Sequence, residues 1–204
     1  MSSKKNDGVV IIMLEAHALD SNPYVMFDRW LNDARNHESI KEPTAMALAT
    51  ADHVGRVSCR IVLLKEHSNQ GFTFFTNHAT SRKSLDIQSN PHAALCFYWE
   101  ALDRQVRIEG RVERVADGEA DAYFESRARG SQIGAWASYQ SETLDSRTTL
   151  EERIAALEQQ YAGRNVPRPP HWHGWRVIPH RIEFWQQRDY RLHDRFIFDA
   201  QEDG

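Results

Sequence analysis

The spacing of apolar positions divides the chain into a helical opening, a long stretch of strands, a helical insert and a return to strand. Behind Asn22-Pro23, a capping residue followed by proline at the first helical position, Met26, Phe27, Trp30, Leu31 and Ala34 recur at helical spacing and predict an amphipathic helix. From Thr44 the period falls toward two. Strands are predicted over residues 45–50, 57–65 and 72–76, with turns at Asp52-His53-Val54-Gly55 and Ser68-Asn69-Gln70-Gly71. A short helix is expected from about Ser81. The alternation of Ala93, Leu95, Phe97 and Trp99 then predicts a strand over 93–99, followed by another over 105–115.

Helices are predicted next over 119–126, 131–139 and 150–161. The last has Thr148 and Glu151 as a capping box, Leu150, Ile154, Leu157 and Tyr161 on one face, and Gly163 to end it. Val166-Pro167-Arg168-Pro169-Pro170 reads as a rigid connector. Strands resume over 175–178, 181–185 and 192–198. Strands on both sides of a helical insert predict a small antiparallel barrel or curled sheet with helices packed outside, in the α+β class but mainly β. Irregular alternation of strand and helix argues against a doubly wound parallel sheet.

The chain has 204 residues, 41% hydrophobic and 26% charged, an ordinary globular composition large enough for a sizeable core. Residues 1–22 read as a flexible N-terminal arm and 23–204 as one domain. Within the arm, Val9-Val10-Ile11-Ile12-Met13-Leu14 imitates the apolar core of a signal peptide, but it is short and Glu15 interrupts it. No run approaches the length of a membrane helix. Cys59 and Cys96 lie far apart without a C-x-x-C spacing, which suits a reducing, cytoplasmic compartment.

Lys and Arg total 25 against 29 Asp and Glu, a formal net charge of -4, so no global basic field draws the chain to nucleic acid or anionic membrane. Any anion site is therefore local. Phosphate-loop, dinucleotide-fold, nucleophile-elbow and H-E-x-x-H patterns are all missing. His171, His173 and His180 have no Cys or acidic partner at matching spacing, so they read as exposed loop residues and no metal site is expected.

Four cationic clusters stand beside apolar or hydroxyl-bearing residues: Arg60 and Lys65 around Ile61-Val62-Leu63-Leu64; Ser81-Arg82-Lys83; Ser126-Arg127-Ala128-Arg129-Gly130-Ser131; and Arg191-Leu192-His193-Asp194-Arg195. One such cluster alone is ordinary surface ion pairing. Four together point to phosphate or carboxylate recognition, since Arg offers a bidentate fork and a hydroxyl adds a donor. Ser81-Arg82-Lys83 also opens a predicted helix, where the dipole favours an anion. Phe184, Trp136 and Trp185 serve core, interface or cofactor equally well on composition, and Gln105, Gln140 and Ser141 serve a heteroaromatic ring or a wet surface. The residues alone thus lead to a phosphate-bearing ligand, or two.

Taken in order, Glu42-Pro43-Thr44-Ala45-Met46, Arg60 to Lys65, Phe75-Thr76-Asn77 with Ser81-Arg82-Lys83, Arg104-Gln105-Val106, Ser131 to Trp136, Gln140-Ser141, Glu183-Phe184-Trp185 and Arg191 to Arg195 resemble the pyridoxine/pyridoxamine 5′-phosphate oxidase family from about Pro23 to Phe198. The resemblance implies a six-stranded antiparallel split β-barrel, Greek-key-like, with surrounding helices, that forms a homodimer with FMN at the subunit interface. It implies FMN phosphate and ribityl contacts from Arg60, Ile61, Val62, Leu63, Leu64, Lys65, Phe75, Thr76, Arg82, Lys83, Gln140 and Ser141. Gln105, Trp185 and Arg195 would face the flavin ring. The substrate phosphate would meet Lys65, Tyr123, Arg127 and Ser131, with Arg191 and His193 as catalytic residues over the pyridine ring. The implied reaction oxidises pyridoxine or pyridoxamine 5′-phosphate to the aldehyde with O₂ as acceptor.

Some features depart from the family pattern. Residues 1–22 hold neither the Arg nor the Tyr that family members place before the first helix as a lid. Gln187 replaces a usual Gly, one extra residue stands between Asn77 and Ser81, and the chain ends at Gly204 without an Arg-Leu-x-Pro ending, so a shortened last strand pair is expected. Two other readings share the fold: a phenazine-type flavin oxidase, which has little use for a phosphate clamp, and a non-catalytic FMN or pyridoxal-phosphate binder.

Overall fold

The computed structural model describes residues 22–200. The expected arm, apart from Asn22, and residues 201–204 lie outside the described residues. Helix α1 (Pro23–Arg35) starts as its sequence predicts: the Asn22 side chain accepts a hydrogen bond from the Tyr24 amide at 2.9 Å, with proline in the first turn. Its apolar face is wholly buried and carries Met26, Phe27, Trp30, Leu31 and Ala34 into the core. Burying a side chain such as Phe27 contributes roughly 2–3 kcal/mol.

Eight strands follow in chain order: β1 (Ala45–Ala51), β2 (Val57–Leu63), β3 (Glu66–Ser68), β4 (Gly71–Asn77), β5 (His92–Trp99), β6 (Arg104–Arg114), β7 (Trp172–Gln186) and β8 (Asp194–Asp199). They form one sheet in the order β2-β1-β5-β6-β7-β4-β3, with β8 also on β7, and every pairing is antiparallel. The strands at the two ends of that order are joined by Leu64 and Lys65. There the Leu64 amide donates to the Thr44 carbonyl and the Lys65 amide to the Thr73 carbonyl, both at 2.9 Å, which draws the sheet into a curl. Leu48, Phe72, Phe74, Phe97, Trp99, Val106, Ile108 and Phe184 line its interior against α1.

The described residues hold eight strands where the resemblance implies six, and two of the eight differ from the strands that the pattern predicts. The three-residue β3 falls in a stretch read as part of a strand and a turn. Residues 175–178 and 181–185, expected as two strands, belong to the single fifteen-residue β7. Pro179 has no N–H to donate, and His180 is the extra residue of a bulge opposite Glu109 and Gly110, so the ladder to β6 absorbs both without breaking. The bulge is also where β7 changes partners: residues 172–177 pair with β4 and residues 181–186 with β8. The last pair, expected to be cut short, runs from Arg181–Asp199 to Gln186–Asp194.

Helix α2 (Arg82–Ser89) packs beside β1. Helices α3 (Asp117–Ser126), α4 (Arg129–Ala137) and α5 (Arg147–Gln160) gather around a second cluster of Phe124, Ile133, Val166 and Trp172. The α5 cap differs from expectation: Ser146, not Thr148, accepts the Thr149 amide at 3.1 Å, and Glu151 instead pairs with Arg147 at 3.1 Å. A hydroxyl two residues earlier starts the helix sooner. His173, expected on an exposed loop, is fully buried on β7, where its Nε2 meets Asp117 at 2.9 Å. His171, by contrast, is half-buried before the strand begins.

Gly110 makes the bulge possible, because a Cβ there would stand 2.1 Å from the Ile178 carbonyl oxygen. Gly110→Ala is expected to destabilise the chain by about 2–3 kcal/mol, since only backbone movement relieves the clash. Chemical denaturation of the two proteins side by side measures the difference.

Candidate active site

A cleft of about 620 Å³ opens between β2, β4, the start of α2 and the segment after α4. Its lining brings together Arg60, Ile61, Val62, Leu63, Lys65, Phe75, Thr76, Arg82, Lys83, Gln140 and Ser141, all predicted from the sequence, and adds Ser58 and Cys59, which were not. Leu64 lies elsewhere. Its side chain is in the core, because the strand's alternation turns it away from its neighbours.

The floor of the cleft is built by hydrogen bonds between distant segments. Lys83, 6% exposed, donates from Nζ to Thr76 Oγ1 at 3.1 Å and to Gln140 Oε1 at 2.8 Å, and Thr76 Oγ1 also donates to Gln140 Oε1 at 2.8 Å. No carboxylate pairs with this ammonium among the described residues. Burial first, and then the Arg60 charge, push its pKa down to about 8. The Ser81 hydroxyl does not cap α2; it donates instead to the Asn77 carbonyl at 2.5 Å. The Arg82 amide reaches Ser141 Oγ at 3.3 Å, and Ser141 holds a left-handed backbone, φ 73°. A helix start free of its own cap, a buried ammonium, a guanidinium and hydroxyls on one wall form a donor set suited to a phosphate.

Arg60 crosses β1 and β2 to donate from Nη1 to the Leu48 carbonyl at 3.0 Å and to Thr50 Oγ1 at 2.8 Å. Phe75 closes the other side. Its ring stacks on Tyr123 at 4.1 Å and on Trp172 at 5.2 Å, and Gly174 beneath it leaves room that a Cβ, 2.6 Å from the ring, would fill. Burial raises the Tyr123 phenol above its ordinary value, while the Arg127 charge opposes this.

Lys65 and Arg127 are not in one cleft. Arg127 lines a neighbouring space of about 690 Å³ with Arg129, Gln132 and Arg168, its guanidinium 4.9 Å over the Trp172 ring. Its Nη1 is buried and has no hydrogen-bond partner among the described residues, and burial lowers its pKa. A buried, unpaired guanidinium nitrogen is a costly group that an anion would satisfy. Ser131 lies in the first turn of α4 and is exposed.

The remaining predicted residues form a separate group. Gln105 pairs across the sheet with Trp185, and Trp185 with Arg195. Arg195 makes a bidentate ion pair with the buried Glu183, at 3.2 and 2.6 Å, which holds the carboxyl below its ordinary pKa. The His193 ring lies 4.6 Å from Trp185, and exposed Arg191 has a left-handed φ of 64°. None of these residues lines the first cleft.

Sequence reasoning missed Asp86, which is 5% exposed and hydrogen-bonded behind Arg60. Its signal was a carboxylate next to the core residue Ile87, on a short helix that opens with two cations.

Residues 33–161 match the family model described as pyridoxamine 5′-phosphate oxidase. The chain belongs to the pyridoxine/pyridoxamine 5′-phosphate oxidase family. Residues 172–204 match a second model of the same family, its C-terminal dimerisation region. The pyridoxine/pyridoxamine 5′-phosphate oxidase of Myxococcus xanthus (strain DK1622) is 53% identical over 192 residues, covering 94% of this chain and 92% of that protein. PhzG from Burkholderia lata 383, solved in complex with tetrahydrophenazine-1-carboxylic acid, superposes with a TM-score of 0.87 at 32% identity, covering 94% of this chain and 93% of that one. A pyridoxamine 5′-phosphate oxidase-related, FMN binding protein from Nostoc punctiforme PCC 73102 shares the fold, with a TM-score of 0.70 at 15% identity and coverage of 88% and 91%. Membership makes the chain an enzyme, an oxidoreductase of the flavoprotein class. Among the described residues no helix is long and apolar enough to cross a membrane.

Lys83 carries a cost in the ligand-free fold. Its folded pKa of about 8 lies below the ordinary 10.5, so between these values the unfolded chain keeps a proton that the folded chain has lost. Stability therefore rises with pH through that window, and below pH 8 the buried charge costs the fold about 3 kcal/mol before its hydrogen bonds are counted. Lys83→Met is expected to stabilise the ligand-free chain at pH 7 by about 1–3 kcal/mol, a gain that shrinks toward pH 10. Melting temperatures of both proteins across that range read the effect.

Proposed function

We propose that this chain converts pyridoxine 5′-phosphate or pyridoxamine 5′-phosphate to pyridoxal 5′-phosphate with O₂, releasing H₂O₂ and, from the amine, NH₃. The observation that carries the reading is the cleft in which Arg60, Lys65, Thr76, Arg82, Lys83, Gln140 and Ser141 converge, in a chain of this family. When bound there, FMN would supply the hydride acceptor for the substrate C4′ carbon and the route of its electrons to O₂.

The chain's own work is binding and orientation. Arg60, Lys83, the Arg82 amide and Ser141 hold the cofactor phosphate, Gln140 supports its chain, and Phe75 walls the cleft. Arg127, with Tyr123 and Ser131, takes the substrate phosphate, and Lys65 meets it from the first cleft. Gln105, Trp185 and Arg195 face the flavin ring from a second copy of the chain, since they stand outside the first cleft. Two features support a homodimer: the match to a dimerisation region, and Ile61 on edge strand β2, 67% exposed beside the cleft.

Arg191 and His193 position the pyridine ring. The Arg188 amide donates to His193 Nδ1 at 3.1 Å, which engages that nitrogen and leaves Nε2 to hydrogen-bond the substrate. His193→Asn is therefore expected to reduce kcat/KM about tenfold, the weight of one hydrogen bond to a polar substrate atom. If kcat and KM both stay at wild-type values, His193 takes no part.

A second reading is favoured by the PhzG superposition: oxidation of a tricyclic phenazine precursor. The unpaired Arg127 nitrogen would accept a carboxylate as well as a phosphate; what favours the phosphate is the further cation and two hydroxyls, Lys65, Tyr123 and Ser131, that the family resemblance sets beside it. Purified protein should be yellow and release H₂O₂ on addition of pyridoxine 5′-phosphate. Arg127→Gln should raise KM for that substrate about 10–100-fold, as expected for a lost charge-assisted contact. Flavin without turnover would favour a binding protein, and turnover of dihydrophenazine carboxylates alone would favour the second reading.

A further inference from the structure

The buried carboxylate of Asp86 has no place in the binding set above, yet it stands behind the first cation of the cleft. Asp86 Oδ2 accepts from Thr50 Oγ1 and from Ser58 Oγ, each at 2.7 Å, and lies 3.9 Å from Arg60 Nη2. Thr50 and Ser58 are cross-strand partners on β1 and β2, and their hydroxyl oxygens are 3.2 Å apart. Arg60 donates to both: Nη1 to Thr50 Oγ1 at 2.8 Å, Nη2 to Ser58 Oγ.

A hydroxyl has one proton to give. Because Thr50 and Ser58 spend theirs on the carboxylate, both oxygens are turned to Arg60 as acceptors. The carboxylate thus sets the direction of two relayed hydrogen bonds and adds a charge of the right sign behind the guanidinium. With the Leu48 carbonyl also engaged, Nε–H and one Nη2–H of Arg60 remain for a ligand. Asp86 itself sits three residues after Lys83 on α2.

We propose that Asp86 is a positioning residue for the cofactor phosphate site, acting through Thr50 and Ser58 to hold Arg60 in its binding orientation without touching the cofactor. The proposal rests on the FMN reading given above. It predicts that a negative charge, normally adverse beside an anion site, here strengthens anion binding.

The test is FMN affinity of the flavin-free, full-length protein, measured by quenching of flavin fluorescence. Asp86→Asn is expected to raise the FMN Kd about 10–100-fold, the usual weight of an outer partner that orients a ligating group. Arg60→Gln should weaken binding similarly, and the double variant should be no worse than Arg60→Gln alone, because Asp86 acts only through Arg60. Thr50→Val with Ser58→Ala, which keeps the carboxylate and removes the relay, should reproduce the Asp86→Asn effect and stands in for it should Asp86→Asn not fold. An unchanged or tightened Kd in Asp86→Asn overturns the proposal, as do penalties that multiply in the double variant. Wild-type protein that binds no FMN would overturn the functional reading and this proposal with it, whereas tight wild-type binding with an indifferent Asp86→Asn would overturn this proposal alone.

Discussion

Strand β7 must pair with β6 along its whole length while serving two different strands on its other side, and the site depends on how it does so. Its first half holds β4, which delivers Phe75 and Thr76 to the cleft; its second half holds β8, which delivers Arg195. A straight fifteen-residue strand would give the two halves one direction. The bulge at His180, which follows Pro179 and lies opposite Glu109 and Gly110, falls where the partner changes, and bulged strands bend and twist more strongly. The curl then brings the two ends of the strand order to the same two-residue link, Leu64 and Lys65, at the mouth of the cleft.

On this frame the chain assembles cations that do not stabilise it. Among the described residues, Lys83 is buried without a carboxylate and Arg127 has a buried nitrogen without a partner. Both are adverse in the ligand-free fold, a cost that a bound anion would offset. Asp86 is the exception among these charges. It offsets part of the burial cost of Arg60, whose guanidinium it raises toward its ordinary pKa against the larger effect of desolvation.

The order and type of most elements were legible in the sequence because amphipathic period and turn residues are local properties. Asn22-Pro23, the alternation through Trp99 and the turn at Gly55 each formed as expected. The errors fell where tertiary pairing overrides local signals. Pro179 broke the pattern of one strand into two, yet the ladder to β6 carried through it. His173 read as a loop histidine because sequence does not reveal that Asp117 waits beside it.

By itself, the sequence determined the family through its ordered motifs and the mainly antiparallel architecture through its period, and it held the residue types of a candidate anion site. Only the tertiary structure decided which of those residues share a cleft. It placed Arg60, Thr76, Lys83, Gln140 and Ser141 together across more than eighty positions of chain, put Arg127 in the neighbouring space, and left Gln105, Trp185 and Arg195 apart from both. It also showed that a carboxylate stands behind the cations. The physical reason is that charge and hydrogen bonding act over a few ångströms in space, and distance along a chain says little about distance in a curled sheet.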